Sequence, residues 1–144
     1  MTLSDEYAPS RFHEIRDQVA LYEATDGGQG GTLRGRPVII LAHRGAKTGR
    51  LRKTPLMRVS YQDGYIAVAS YGGHHTHPVW YYNLLANPLV EVRDGAATKT
   101  MRAREVTGAD KTGLWRIADA AWPHFADYRA KTDRDIPMFV LQAP

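Results

Sequence analysis

The sequence predicts an α+β domain, mainly β, in which an antiparallel sheet curls into a small barrel with helices against it. Three observations carry this. Short apolar runs follow one another with hairpin signals at Asp63-Gly64 and Asp94-Gly95 between them. Helical periodicity is confined to three separated stretches. The chain has 144 residues, the size of one domain, and folding it buries roughly two-thirds of its surface without any staple. Consecutive hairpins argue against a doubly wound parallel sheet.

The elements follow in order. Ser10 is placed to cap a helix that runs to about Ala24, with Phe12, Ile15, Val19 and Tyr22 forming its apolar stripe. Asp26-Gly27-Gly28 ends it, and Gly27 to Gly35 reads as a flexible connector. Pro37 to His43 is a short apolar run and reads as a buried strand. A glycine-punctuated loop, Arg44 to Arg50, leads into a strand from Arg52 to Gln62, which Pro55 places near an edge or bulge. Tyr65 to Ser70 is a third strand, and Gly72-Gly73 opens a loop that reaches Pro78. Pro78 suits the first turn of a short helix that buries Trp80, Tyr81, Leu84 and Leu85 and stops at Asn87-Pro88. Leu89 to Arg93 and Ala97 to Val106 form a hairpin. Thr107 or Asp110 starts a helix with Leu114, Ala118, Ala121 and Trp122 on one side, and Pro123 ends or kinks it. Ile136 to Gln142 is the last strand.

Composition removes whole classes of function. Hydrophobic residues are 43% and charged residues 24%, a globular mixture. There is no cysteine, so disulfides, thiolate metal sites and cysteine nucleophiles are excluded. The opening MTLSDEYAPSRF lacks the basic-then-apolar pattern of a signal peptide, and no run approaches the ~20 apolar residues of a membrane span. A cytoplasmic location is the expectation.

Charge is segregated. The net charge is +4, yet from Gly27 to Gln62 there are eight Lys or Arg residues and no Asp or Glu. They are Arg34, Arg36, Arg44, Lys47, Arg50, Arg52, Lys53 and Arg58. The remainder of the chain is net −4. From Gly64 to Val90 there is no Lys, Arg, Asp or Glu, and this stretch carries Tyr65, Tyr71, Trp80, Tyr81 and Tyr82. An anion site beside an uncharged aromatic surface accounts for both halves. A solvated basic loop beside ordinary core would also produce them.

Four local patterns bear on chemistry. In His43 to Arg52 the glycines let successive N–H groups point one way, as an anion-binding nest requires. Lys47 adds a point charge, and Arg52 a fork that matches phosphate. Neither a Walker A loop nor a GxGxxG turn before a helix is present. In Ala69-Ser70-Tyr71-Gly72-Gly73 the glycines permit a flat ligand to approach the backbone, though a plain turn would look the same. His74, His75 and His77 crowd one loop, but no acidic partner is near and no metal site is expected. Trp115, Trp122, Phe125 and Tyr128 are either core or the wall of a flat-substrate pocket.

The segments GAKTGRLRKTPL, VASYGG and HPVWYYNLLANP, in that order and spacing, resemble the deazaflavin-dependent nitroreductase family. The likeness runs from about Gly31 to the closing TDRDIPMFVL. It implies a split β-barrel related to flavin-binding reductases. It also implies coenzyme F420, an 8-hydroxy-5-deazaflavin, as hydride carrier, with quinones or nitro compounds as acceptors. Residues 31–144 would then form a single deazaflavin-binding domain, preceded by the helix and connector of residues 1–30. The coenzyme's phosphate and polyglutamate tail suit the acid-free basic segment, and its ring suits the neutral one. By resemblance, Lys47, Thr48 and Arg52 hold the phosphate region, with Ala46 and Arg50 close by. Thr54 and Pro55 border the coenzyme. Val68, Ala69, Ser70 and Tyr71 line its ring, and Val79, Trp80, Tyr81 and Asn83 complete the site. Where a family member carries pocket tyrosines this chain has Met57, Trp122 and Phe125, and only Tyr128 keeps its hydroxyl.

The expected mechanism is a ternary complex in which the protein binds, orients and excludes water while the coenzyme carries the chemistry. Ser70 and Tyr128 are the catalytic candidates, set to hydrogen-bond or protonate the acceptor. The alternatives are an FMN-dependent reductase on the same barrel and a carrier that binds deazaflavin and reduces nothing. A nucleic-acid module would use the basic segment but lacks a basic strip among its stacking residues, so no nucleic-acid partner is expected. The oligomeric state is open. The helix from Ser10 to Ala24 could cover the pocket or touch a membrane surface peripherally, although its mixed charges oppose strong membrane binding.

Overall fold

The computed structural model describes residues 7–144; Met1 to Glu6, and with them half of the opening segment, lie outside the described residues. The elements are α1 (His13–Ala24), β1 (Thr32–Leu33), β2 (Arg36–Arg44), β3 (Leu51–Met57), β4 (Ser60–Tyr61) and β5 (Gly64–Val68). A 3-10 turn (Tyr71–Gly73) leads to α2 (Val79–Ala86), β6 (Leu89–Asp94) and β7 (Ala97–Val106). Helices α3 (Gly108–Ala121) and α4 (His124–Lys131) precede β8 (Met138–Gln142). The strands form one sheet in the order β1-β2-β6-β7-β8-β5-β4, with β3 paired to β2. Every strand pair is antiparallel. The curled antiparallel sheet with its helices is a split barrel, as the sequence predicts. No described helix is long and apolar enough to cross a membrane.

Side-chain alternation divides the core by face. Ile39, Leu41, Tyr65, Ala67, Val90, Val92, Phe139 and Leu141 share the inner face with Trp80 and Leu84 of α2. Ile66, Val68, Met138 and Val140 face the other way, against Leu114 and Ala118 of α3, Trp122 between the helices, and Phe125 of α4. Val38 and Ile40 meet Val19 and Tyr22 of α1. Covering on both faces explains why Val38 to His43 reads as an unbroken buried run.

Several boundaries differ from expectation, each for a physical reason. The N-cap of α1 is Phe12, not Ser10; Ser10 Oγ instead accepts from the Phe12 N–H at 3.1 Å. Phe12 is exposed, so the buried stripe reduces to Val19 and Tyr22, with Ile15 half-buried. The glycine segment after α1 holds β1, and the Gly27 N–H donates to Tyr22 O at 2.8 Å. The strand expected from Arg52 to Gln62 is two strands. Arg58 N–H still bonds Pro37 O on β2, whereas Val59 O accepts from Ile66 N–H of β5, so the chain changes partners between them. The following turn holds Gln62 and Asp63, with Gly64 already paired to Tyr61. Gly64 is required by close approach instead, since a Cβ there would lie 1.9 Å from Leu141 O. Ser70 lies beyond β5, whose last residue is Val68. In α2, Leu85 is exposed and Asn83 is buried in its stead. Pro123 ends α3 and also begins α4, a helix the periodicity missed; its φ of −58° and lost N–H suit a first turn.

Candidate functional site

The loop joining β2 to β3 is tied through its backbone. Gly45 N–H donates to Arg50 O at 2.8 Å and Gly49 N–H to Gly45 O at 2.9 Å. Gly49 has a φ of +69°, the left-handed conformation that favours glycine. The Thr48 hydroxyl oxygen accepts from the Arg50 N–H at 3.2 Å.

The structure sorts the eight cations of the acid-free segment. Lys53 pairs with Glu23 at 2.6 Å and Arg58 with Asp94 at 3.0 Å. Arg36 donates to Ala121 O at 2.9 Å, Arg44 donates to Gly49 O at 3.0 Å, and Arg34 lies over the Trp122 ring. Lys47, Arg50 and Arg52 remain. Among the described residues no carboxylate lies within ion-pair distance of these three. Arg50, Arg52 and Thr48, with Tyr7, Ala8 and Pro9, line an open hollow of about 670 Å³. The Ala8 N–H donates to Leu51 O at 2.8 Å, which docks the N-terminal segment on the β3 edge as one wall.

Beneath the loop is a buried polar chain. Ala46 N–H donates to Asn83 Oδ1 at 2.8 Å, Asn83 Nδ2 lies 3.1 Å from His43 Nδ1, and His43 Nε2 lies 3.0 Å from Thr54 Oγ1. His43 and Asn83 are each 3% exposed. Burial pushes the His43 pKa down to about 3, and the Arg52 charge pushes the same way, so the imidazole is neutral near pH 7. His43 received no role from the sequence; only its place at the head of the loop marked it.

At the other end, past β5, the backbone is clamped chiefly by Arg134, with Lys131 Nζ donating to Gly72 O at 3.2 Å. Arg134 donates to Ala69 O at 3.1 Å, Ser70 O at 2.6 Å and His74 O at 2.7 Å, and to His77 Nδ1 at 2.9 Å. Sequence reasoning quoted Arg134 only within the closing TDRDIPMFVL. Tyr71 takes a φ of +47°, followed by Gly72 and Gly73 in the same region. Such a strained turn persists only where its surroundings hold it. Gly73 packs on α4, where a Cβ would lie 2.9 Å from Tyr128 O. The Ser70 hydroxyl has no hydrogen-bond partner among the described residues. His74 stacks on His75, and burial and then Arg134 lower the pKa of His77.

The remaining predicted residues fall into three settings. Thr54 and Pro55 are half-buried on β3, whose ladder is with β2 and whose other edge, among the described residues, is met by Tyr7 and Ala8 at Leu51. Val68 and Ala69 are buried on opposite faces, Tyr71 and Val79 are exposed, and Trp80 is buried against Phe139. Tyr81 is half-buried, and its hydroxyl donates to Glu105 at 3.2 Å. Met57, Trp122, Phe125 and Tyr128 come together in the core under α3 and α4. Trp122 and Phe125 are fully buried there, whereas Tyr128 is half-buried and its oxygen accepts from Trp122 Nε1 at 3.3 Å.

Comparison with known proteins identifies the family. The profile of the F420H(2)-dependent quinone reductase family matches residues 14–143. The F420H(2)-dependent quinone reductase Rv1261c of Mycobacterium tuberculosis is 37% identical over 131 residues, which is 88% of each chain. A solved F420-H2 dependent reductase, FDR-A, is 44% identical over 74% of this chain and 95% of its own, with a TM-score of 0.70. Another solved structure, described as a domain-swapped dimer, is 39% identical over 88% of this chain and 92% of its own, with a TM-score of 0.71. A split barrel and an acid-free cationic loop thus meet in one chain that belongs to the F420H(2)-dependent quinone reductase family.

Proposed function

We propose that this chain reduces quinones with F420H2, binding both in one ternary complex. The observation that carries the reading is the sorting of the cations: among the described residues Lys47, Arg50 and Arg52 alone of the eight have no side-chain hydrogen-bond or ion-pair partner, and they lie together on the β2–β3 loop and the start of β3. That donor set fits the coenzyme's phosphate and carboxylates, with Thr48 and Ala46 beside them. Thr54 and Pro55 continue the site along β3. Val68, Ala69, Ser70 and Tyr71 suit the ring end, where no formal charge interrupts the chain from Gly64 to Val90. Val79 and Tyr81 border it from α2, while buried Trp80 and Asn83 hold that helix and the loop in place.

When bound, reduced F420 supplies a hydride. The protein's own part is placement and proton handling. The Ser70 hydroxyl, without a protein partner, is free to hydrogen-bond the acceptor. Tyr128 Oη already accepts from the Trp122 indole, so its own proton is available to donate as negative charge develops on the quinone. Met57, Trp122 and Phe125 shape the wall behind it, and nitro compounds are secondary acceptors. Leu21, exposed on α1, is the side chain through which that helix would touch a membrane holding the quinone.

The test is a titration of purified protein with F420, FMN and haem, followed by oxidation of F420H2 against quinones, nitroaromatics and enones. Binding of F420 with turnover on quinones is expected. Preference for FMN, or tight F420 binding with no turnover on any acceptor, would overturn the reading.

A further inference from the structure

The hydrogen-bond chain under the cationic loop has one self-consistent assignment of its protons. A backbone N–H can only donate, so the Ala46 N–H fixes the Asn83 oxygen on its side. The Asn83 amide nitrogen therefore faces His43 Nδ1 and must donate to it. His43 Nδ1 is then an acceptor, which places the imidazole proton on Nε2. That proton goes to Thr54 Oγ1, 3.0 Å away. Thr54 has one hydroxyl proton, no other hydrogen-bond partner among the described residues, and a half-buried position on the β3 edge strand. His43 Nε2–H engages one lone pair of the hydroxyl and cannot accept from it, so the hydroxyl proton is left for a partner outside the relay.

Thr54 shares a face of β3 with Arg52 and lies two residues from it, about 7 Å along the strand. We propose that His43 and Asn83 are positioning residues that hold the Thr54 hydroxyl by its oxygen and leave its proton to donate to an uncharged oxygen or nitrogen acceptor of the coenzyme, about 7 Å from the anion held at Arg52. The proposal rests on the functional reading above and names a contact within it. The relay does more than hold the loop. With the opposite histidine tautomer the hydroxyl would spend its proton on Nε2, whereas with this one the proton stays available to a ligand acceptor. The neutrality of His43 keeps the assignment unchanged across the working pH range.

Two measurements test it. The first uses the free protein: nitrogen-15 correlation spectra of the histidine rings between pH 5 and pH 8. His43 is expected as the Nε2–H tautomer throughout. An Nδ1–H tautomer, or titration in this range, would overturn the proposal. The second is F420 affinity, followed by the coenzyme's fluorescence. Thr54→Val should weaken binding about tenfold, and Thr54→Ser should restore most of it. His43→Leu should lose as much as Thr54→Val, while His43→Gln, which can present an amide N–H near the Nε2 position, should stay near wild type. Wild-type affinity in Thr54→Val would overturn the relay alone, and that variant does not depend on how His43→Leu folds. A wild-type chain that fails to bind F420 would instead overturn the functional reading and the contact built on it.

Discussion

The two ends of the candidate site are built on opposite rules. At the loop end the backbone is held, by Asn83 and by its own glycine turn, while the side chains of Lys47, Arg50 and Arg52 are left without partners among the described residues. At the strand end the backbone carbonyls of Ala69, Ser70 and His74 are engaged by Arg134, and Val68 and Ala69 are packed into core. One end offers charge to a ligand from a fixed frame. The other is a turn whose backbone shape depends on a distant arginine. Mutations should therefore separate cleanly. Those at the loop change affinity, and those at the strand end change stability and turnover.

Arg134→Leu is the strongest way to break this contrast. It frees three carbonyls and the turn around Tyr71, and should lower unfolding free energy by about 3 kcal/mol, read by denaturant titration, with quinone turnover largely lost. Arg134→Lys should restore little, because an ammonium cannot reproduce the fork. A stable, active Arg134→Leu would show that the strand end needs no clamp. Paired glycine substitutions sharpen the comparison. Gly73→Ala meets both a left-handed φ and the Tyr128 backbone, whereas Gly49→Ala meets the φ alone in open space. Losses of about 3 and about 1 kcal/mol are expected, read as shifts in midpoint.

Lys47→Ala combined with Arg52→Ala should weaken F420 binding tenfold or more, at roughly 1.5–3 kcal/mol per charge-assisted contact, while thermal stability stays near wild type. Unchanged affinity would remove the anion assignment. Acid stability tests the frame beneath the loop. The folded-state pKa of His43, about 3, lies below its ordinary 6.5, so the unfolded chain binds the extra proton between those values. Stability should therefore fall as pH drops from about 6.5 toward about 3, by at most about 1.4 kcal/mol per pH unit from this residue. His43→Gln should flatten that slope in unfolding titrations. Ser70→Ala and Tyr128→Phe carry the smallest expected effects, a fall of about threefold to tenfold in turnover with little change in coenzyme affinity. The reverse pattern would end their proposed role.

Local signals in the sequence were enough for the strand order of the hairpins, the helix after Pro78, the segregation of charge and the family resemblance. Each depends on neighbours within a few residues, on composition, or on motifs kept in register. The second helix of the α3–α4 pair was not legible, because Pro123 terminates and initiates with the same ring. Gly64 was read as a turn residue, because nothing nearby reveals that Leu141 O crowds it.

What the amino-acid sequence alone determined is that a cationic, acid-free loop would precede a neutral aromatic stretch on a curled antiparallel sheet. Only the tertiary structure decided which cations are left for a ligand, since Glu23, Asp94 and the α3 carbonyls take Lys53, Arg58 and Arg36 from far along the chain. It also brought Arg134 to carbonyls about sixty residues away and joined His43, Asn83 and Thr54 into one chain of protons. The physical reason is range. Propensity and pattern act through adjacent residues, whereas the satisfaction of buried polar groups is settled only by whatever the fold brings within hydrogen-bond reach.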